Sequence, residues 1–172
     1  MQLLINRADF ESNYRNITQS NYNNGNLNQH ILDAQFTDVQ KLMGLDFYND
    51  LVRNYTDTQY ATLLNGGIYE HKGITYTNVG LKAVIVFYAY ARYILMGSQT
   101  DTPFGYVEKQ DQNSVQVSHN QKQAMFKMNQ QTAFNYWENV RLFIERKKTD
   151  YPLWDNNCVT HRKTFRISKI ER

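Results

Sequence analysis

Cysteine is almost missing from this 172-residue chain: Cys158 stands alone, so no internal disulfide can form. The amino terminus, MQLLINRADF, lacks the charged start and long apolar stretch of a secretory signal, so a reducing cytosol is the expected site of synthesis. The Asn16-Ile17-Thr18 and Asn54-Tyr55-Thr56 sequons would then be idle. Long uninterrupted apolar runs are missing as well. Val79 to Met96 would reach ~27 Å as a helix, close to the ~30 Å of a bilayer core, but Lys82 and Arg92 interrupt it. The run from Ala83 to Ala91 is too short to span. Arg92 alone would cost roughly 2.5 to 3.5 kcal/mol at the bilayer centre, with no acidic partner in the segment. No membrane partner is expected.

Charge of one sign is scarce, with a net of only +3, and it is unevenly placed. Arg162, Lys163, Arg166, Lys169 and Arg172 against Glu171 put +4 between Cys158 and Arg172, which leaves the rest of the chain at −1. The 33 Asn and Gln residues and 13 Tyr are explained most simply by the base composition of the source genome.

Clustered chemistry is missing too. His30, His71, His119 and His161 lie far apart, and no pair has metal-ligand spacing on a helix. His30 opens a helix and reads as a solvated first-turn residue. Cys158 and His161 lack the third, orienting group that an activated thiolate needs. Gly66-Gly67 runs into strand-like Ile68-Tyr69, where a phosphate loop would continue as Lys-Ser/Thr into a helix. Asp46 and Asp50, one helical turn apart, are accounted for by capping and solvation. The expectation is a protein that is not an enzyme and has no metal or cofactor.

What is present is apolar pattern: 41% hydrophobic and 14% aromatic residues are ample for the core of one domain. The chain divides into an amino-terminal arm and loop over 1–26, a helical core over 27–154 with a hairpin at 68–76, and a basic tail over 155–172. The arm begins with Leu3 to Ile5 and ends in the Asn-rich SNYNNGN loop. Ile31, Leu32, Gln35, Phe36, Val39, Leu42 and Met43 recur at helical spacing, with Gly44 as the stop. Asp46 is placed to cap a second helix, Phe47 to about Asn54, that buries Phe47, Leu51 and Val52, and a turn follows around Tyr60 to Leu64. Gly73 supplies the positive φ for a hairpin between Ile68-Tyr69-Glu70 and Ile74-Thr75-Tyr76. Asn78 is placed to cap the apolar helix, and Gly97 to end it.

Residues 98–118 read as a long excursion with a strand near Val115 and Val117. A helix from about Ser118 to Lys148 follows, with Met125, Met128, Ala133, Tyr136, Trp137, Val140, Phe143 and Ile144 on one side. Met125, Met128, Phe134 and Trp137 are expected as core. Tyr151-Pro152-Leu153-Trp154 closes the bundle, and alternation of Phe165 and Ile167 with Arg166 and Ser168 reads as a short strand. The fold class is mainly α: a helical bundle with a small β-hairpin and short additional strands.

Val79 to Met96 is apolar on nearly every side, and a helix of that kind must be buried on every side. One face can pack on its own fold, and a neighbouring subunit is expected on the other. Phe87, Tyr90, Arg92 and Tyr93 are the candidate interface residues. Arg92 either snorkels past Tyr88 to water or tyrosyl oxygens, or makes an ion pair across the subunit boundary.

Two blocks resemble the head-tail connector proteins of tailed bacteriophages, also known as head completion or neck ring proteins. The first is Ile31-Leu32-Asp33-Ala34-Gln35 followed by Asp38 to Leu51, in which a helix ends at Leu42-Met43-Gly44 and Phe47-Tyr48 begins the next. The second runs from Gly67-Ile68-Tyr69 through Gly73, Tyr76, Gly80-Leu81-Lys82 and Tyr88 to Tyr93. It continues to Thr102-Pro103-Phe104-Gly105 and Tyr151 to Trp154, and is similar to neck proteins of the crAss-like phages. The resemblance spans about residues 27–154 and carries no catalytic residue. It implies a virion subunit forming a homo-oligomeric, usually dodecameric ring beneath the portal. The ring would contact the portal protein and an adjacent neck or tail protein, with genomic DNA passing through its lumen. A different class of function is a small DNA-binding module, in which Arg162, Lys163, Arg166 and Lys169 contact phosphates.

Overall fold

The computed structural model describes residues 2–13, 15, 17, 26–96, 99–103, 105–108 and 117–155. The fold is mainly helical with small antiparallel hairpins, as the apolar spacing predicts. Helix α1, Arg7–Ser12, starts at a reciprocal cap in which the Asn6 side chain accepts from the Ala8 N–H and Asp9 accepts from the Asn6 N–H. It buries Phe10.

Helix α2 is α-helical over Asn26–Asp33, widens to a π-helix over Ala34–Val39 and resumes as α-helix over Gln40–Met43. Gly44, at φ +84°, ends it. The spacing of apolar residues predicts an even helix here, and the π stretch is a departure from it. The wider turn accompanies Gln35 turned fully into the core and Thr37 and Asp38 gripped by Arg92.

Helix α3, Leu45–Arg53, follows at once. Gly44 takes the cap position expected of Asp46, which sits instead in the first turn, where its charge suits the helix dipole. Tyr48 joins Phe47 and Leu51 in the core and Val52 is only half-buried, because the helix starts two residues earlier than its pattern indicated. The turn expected at Tyr60 to Leu64 is a full helix, α4, Thr58–Asn65.

Strands β1, Gly67–His71, and β2, Ile74–Asn78, pair antiparallel with Tyr69 opposite Tyr76. Lys72 and Gly73, at φ +53° and +75°, form the two-residue turn whose twist matches the strands. Helix α5, Leu81–Met96, begins three residues after Asn78, so Asn78 does not cap it. Its side chain instead donates to the Thr62 carbonyl at 2.8 Å and accepts from the Gly80 N–H at 3.1 Å, tying the hairpin exit to α4.

Strands β3, Gln99–Thr102, and β4, Gly105–Glu108, form a second antiparallel hairpin within the excursion. Gly97 and Val115 lie outside the described residues. Helix α6, His119–Arg146, begins at a capping box of Ser118 and Gln121. Tyr151 and Trp154 close the core, Trp154 packing edge-on against Phe47 and Trp137.

Helix α5 is the hub. It pairs with α6 and also meets α1, α2 and α4. Leu81, every residue from Ala83 to Ala89, and Ala91 are buried within the single chain. The chain's own elements therefore cover α5 as far as Ala91, while Tyr90 and 92–95 are half-buried and Met96 is exposed.

Candidate interaction surfaces

Phe87, Tyr90, Arg92 and Tyr93 come together on one side of α5, Phe87 buried and the other three half-buried. Phe87 is buried, with its ring edge-on to Tyr136 at 5.0 Å. The Arg15 guanidinium sits over it at 4.6 Å and over Tyr90 at 5.5 Å, so the amino-terminal arm covers this face. Tyr90 stacks on Tyr93, which meets His30 edge-on at 6.4 Å. Arg92 makes an ion pair, but its partner is Asp38 of its own chain, at 2.5 Å, with a second bond to the Thr37 hydroxyl. Thr37 in turn donates to the Asp33 carbonyl, so one arginine braces the π stretch from α5. Burial and the nearby Asp38 carboxylate push the Tyr88 phenol up to about 12, and it stays neutral at physiological pH. The Arg92 pairing ties α5 to α2 within the chain.

His30 corrects a second expectation. It is buried in the last turn of the first α segment of α2, not solvated, and among the described residues its Nδ1 has no hydrogen-bond partner. Asp33 of α2 and Arg92 and Tyr93 of α5 are the titratable or charged groups against it. Burial lowers its pKa first, Asp33 opposes this, and Arg92 adds to the lowering. A histidine depressed in the folded state stabilises fully above its unfolded pKa of about 6.5, and that stability fades as pH falls below it. Urea midpoints should therefore drop between pH 7.5 and 5.5, and a His30→Asn variant should lose less over the same interval. Equal losses in the two proteins would contradict this.

The apolar side chains left in water lie elsewhere. Met125, Met128 and Phe134 are exposed, Met128 by 60%, and only Trp137 of the expected stripe is core. Met128 and Phe134 adjoin the buried Asn129 and Ala133 and face away from the bundle, whereas for Met125 the reason is length. α6 has 28 residues and reaches ~42 Å, whereas α5 has 16 and reaches ~24 Å. Phe87 lies at Tyr136, and Asn139 holds the Val79 N–H and the Thr77 carbonyl, so the helices are antiparallel and the start of α6 outruns the end of α5. Met96, on the last turn of α5, is half exposed at the same end.

The hairpin is fixed to the other end of α6. Tyr69 and Tyr76 stack at 5.7 Å, and the Arg146 guanidinium lies 3.7 Å above Tyr76 while donating to the Tyr69 hydroxyl. Beside it, β1, the start of α4 and the turn after α6 enclose an open groove of about 870 Å³ lined by Gln59, Ile68, Glu70, Lys147 and Asp150.

Two amides that tie elements together, the buried Gln35 and the half-buried Asn139, did not stand out from the sequence. Gln35 occupies a core position of the apolar repeat, which was the one signal available for it, and Asn139 had none. Arg162, Lys163, Arg166 and Lys169 lie outside the described residues. Among the described residues, no three His, Cys, Asp or Glu side chains group as a metal site, and no helix is long and apolar enough to cross a membrane. No curated protein and no solved structure matches the chain. Residues 39–164, from the end of the π stretch into the tail, match the family described as "Family of unknown function (DUF6712)", and the chain belongs to that family.

Proposed function

We propose that the chain is a structural subunit of a bacteriophage neck that closes into a ring, joins the portal vertex to the tail and leaves its axis open for the genome. The resemblance over residues 27–154 supports this, and its motifs coincide with features that set the fold. These are the stop at Gly44, the turn at Gly73, the crossing at Gly80 and the Tyr151 to Trp154 closure. The portal protein and an adjacent neck or tail protein are the partners, and a dodecamer is the stoichiometry that the resemblance implies.

The observation that carries the proposal is the apolar surface on the amino-terminal half of α6. Met125 and Met128, with Met96 at the same end, present flexible side chains that a neighbouring surface can bury. Light scattering coupled to size exclusion, over a concentration series with and without portal protein, should show assembly of the wild type. Met125→Glu with Met128→Glu should hold a normally folded monomer under the same conditions, with unchanged circular dichroism. A wild type that stays monomeric and never binds portal would contradict the proposal. A second reading, DNA binding by the tail, is favoured by the +4 charge between Cys158 and Arg172. The two merge if that tail faces the lumen.

A further inference from the structure

The two edges of the first hairpin are not treated alike. A two-residue turn closes on a hydrogen-bonded pair, His71 and Ile74. Alternation then makes Glu70/Thr75 and Ile68/Thr77 the pairs whose main-chain groups point outward. On β2 that outward edge is tied at one point, where the Asn139 side chain of α6 donates to the Thr77 carbonyl at 3.0 Å. On β1 it is open. Among the described residues nothing bonds to the outward N–H and C=O groups of Ile68 and Glu70. Ile68 is 75% exposed, and Glu70 is exposed and has no ion pair among the described residues. This edge borders the groove, whose floor includes the buried rings of Tyr69, Phe143 and Tyr151.

An open edge beside a groove accepts an extended segment as a third strand. The residue opposite Ile68 should be apolar and the one opposite Glu70 basic, two positions apart on one face. Read in the antiparallel sense, the chain carries that pattern once after Asp155, with Phe165 apolar and Lys163 basic. In Lys163-Thr164-Phe165-Arg166-Ile167-Ser168-Lys169, alternate positions read Lys, Phe, Ile, Lys. Antiparallel pairing, the more stable sense, sets Phe165 against Ile68 and Lys163 against Glu70. Lys163 stands eight residues after Asp155, a span of up to ~26 Å when extended, enough to reach an adjacent molecule.

We infer that residues 162–166 of one copy add as a strand to the β1 edge of the next. This rests on the ring proposal and gives it a head-to-tail contact, the kind that closes into a ring when the rotation permits. It leaves Arg162 and Arg166 on the opposite face of the added strand.

The test uses the full chain in a Cys158→Ser background carrying Ile68→Cys and Phe165→Cys. A hydrogen-bonded antiparallel pair holds its Cα atoms ~5.5 Å apart, within disulfide range. Oxidation should give a ladder of covalent dimers and larger species on a non-reducing gel, while each single-cysteine control stops at dimer. Glu70→Lys should weaken assembly by about threefold to tenfold per contact, and Lys163→Glu in the same chain should restore it. A cross-linked monomer would mean that the tail folds back on its own groove, and no cross-link would leave the edge to another occupant. Either result overturns the inference. Rings that form without the ladder and tolerate Glu70→Lys would overturn it and leave the ring proposal standing. A ladder from a protein that makes no ring, alone or with portal, would do the reverse.

Discussion

Gly80→Ala should destabilise the protein by about 3 kcal/mol or more, seen as a large fall in the urea midpoint at unchanged slope. Gly80 sits at φ +84°, where a Cβ costs about 1 to 2 kcal/mol on conformation alone. The added carbon would also lie 2.5 Å from the Gly66 nitrogen, 2.7 Å from the Asn65 carbonyl carbon and 2.8 Å from the Leu64 oxygen. All three are main chain at the end of α4, so no side chain can swing aside. The contact is mutual: a Cβ on Gly66, at φ +80°, would meet the Asn78 oxygen at 2.6 Å. The end of α4 and the start of α5 thus cross peptide against peptide, and this crossing sets the angle of the hub helix. Gly73 is the control. Its φ is +75° but nothing lies within 4 Å of a Cβ there, so Gly73→Ala should show the conformational cost without the clash. If Gly80→Ala proved as mild as Gly73→Ala, the close crossing would be wrong.

Gln35→Leu should cost about 2 to 4 kcal/mol although it places an apolar side chain in an apolar core. The Gln35 amide accepts from the Leu4 N–H at 2.9 Å and donates to the Gln2 carbonyl at 3.2 Å and the Tyr48 hydroxyl at 3.3 Å. It therefore does for the arm what a neighbouring strand would do, satisfying main-chain groups that are away from water. Leucine would leave the buried Leu4 N–H and the Tyr48 hydroxyl without partners, and the arm would have reason to leave. Hydrogen exchange should show the Leu4 amide losing protection before the rest of the fold does. A variant with wild-type stability and a protected Leu4 amide would show that the arm is held by its apolar contacts alone.

The local elements were legible where one residue type enforces them. Gly73 announced the hairpin turn, Gly44 the end of α2, and Ser118 the start of α6 at its capping box. Starts without such a residue slipped: Asp46 and Asn78 resemble caps, yet the glycines at 44 and 80 stand immediately before α3 and α5. The π stretch was not legible, because Arg92 and the arm, distant in sequence, accompany it. All-round apolarity correctly placed α5 in the interior, but periodicity does not say whose atoms cover it. Arg15, α2 and α6 supply that cover from the same chain. At Met125 the methionine stripe misled for a related reason. An apolar repeat continues along α6 past the point where α5 ends, and only the unequal lengths of 81–96 and 119–146 hinted at the overhang. His30 looked like a surface residue on its polar type alone, whereas Leu27 and Ile31 beside it are buried.

With α5 covered as far as Ala91, assembly rests on the exposed methionines of α6 and the open β1 edge. Electron micrographs of the purified full chain, over a concentration series and with portal protein, test this most directly. Views down the axis should show closed annuli with an open centre, lost in Met125→Glu with Met128→Glu. Single small particles at every concentration, with portal rings left bare, would contradict it.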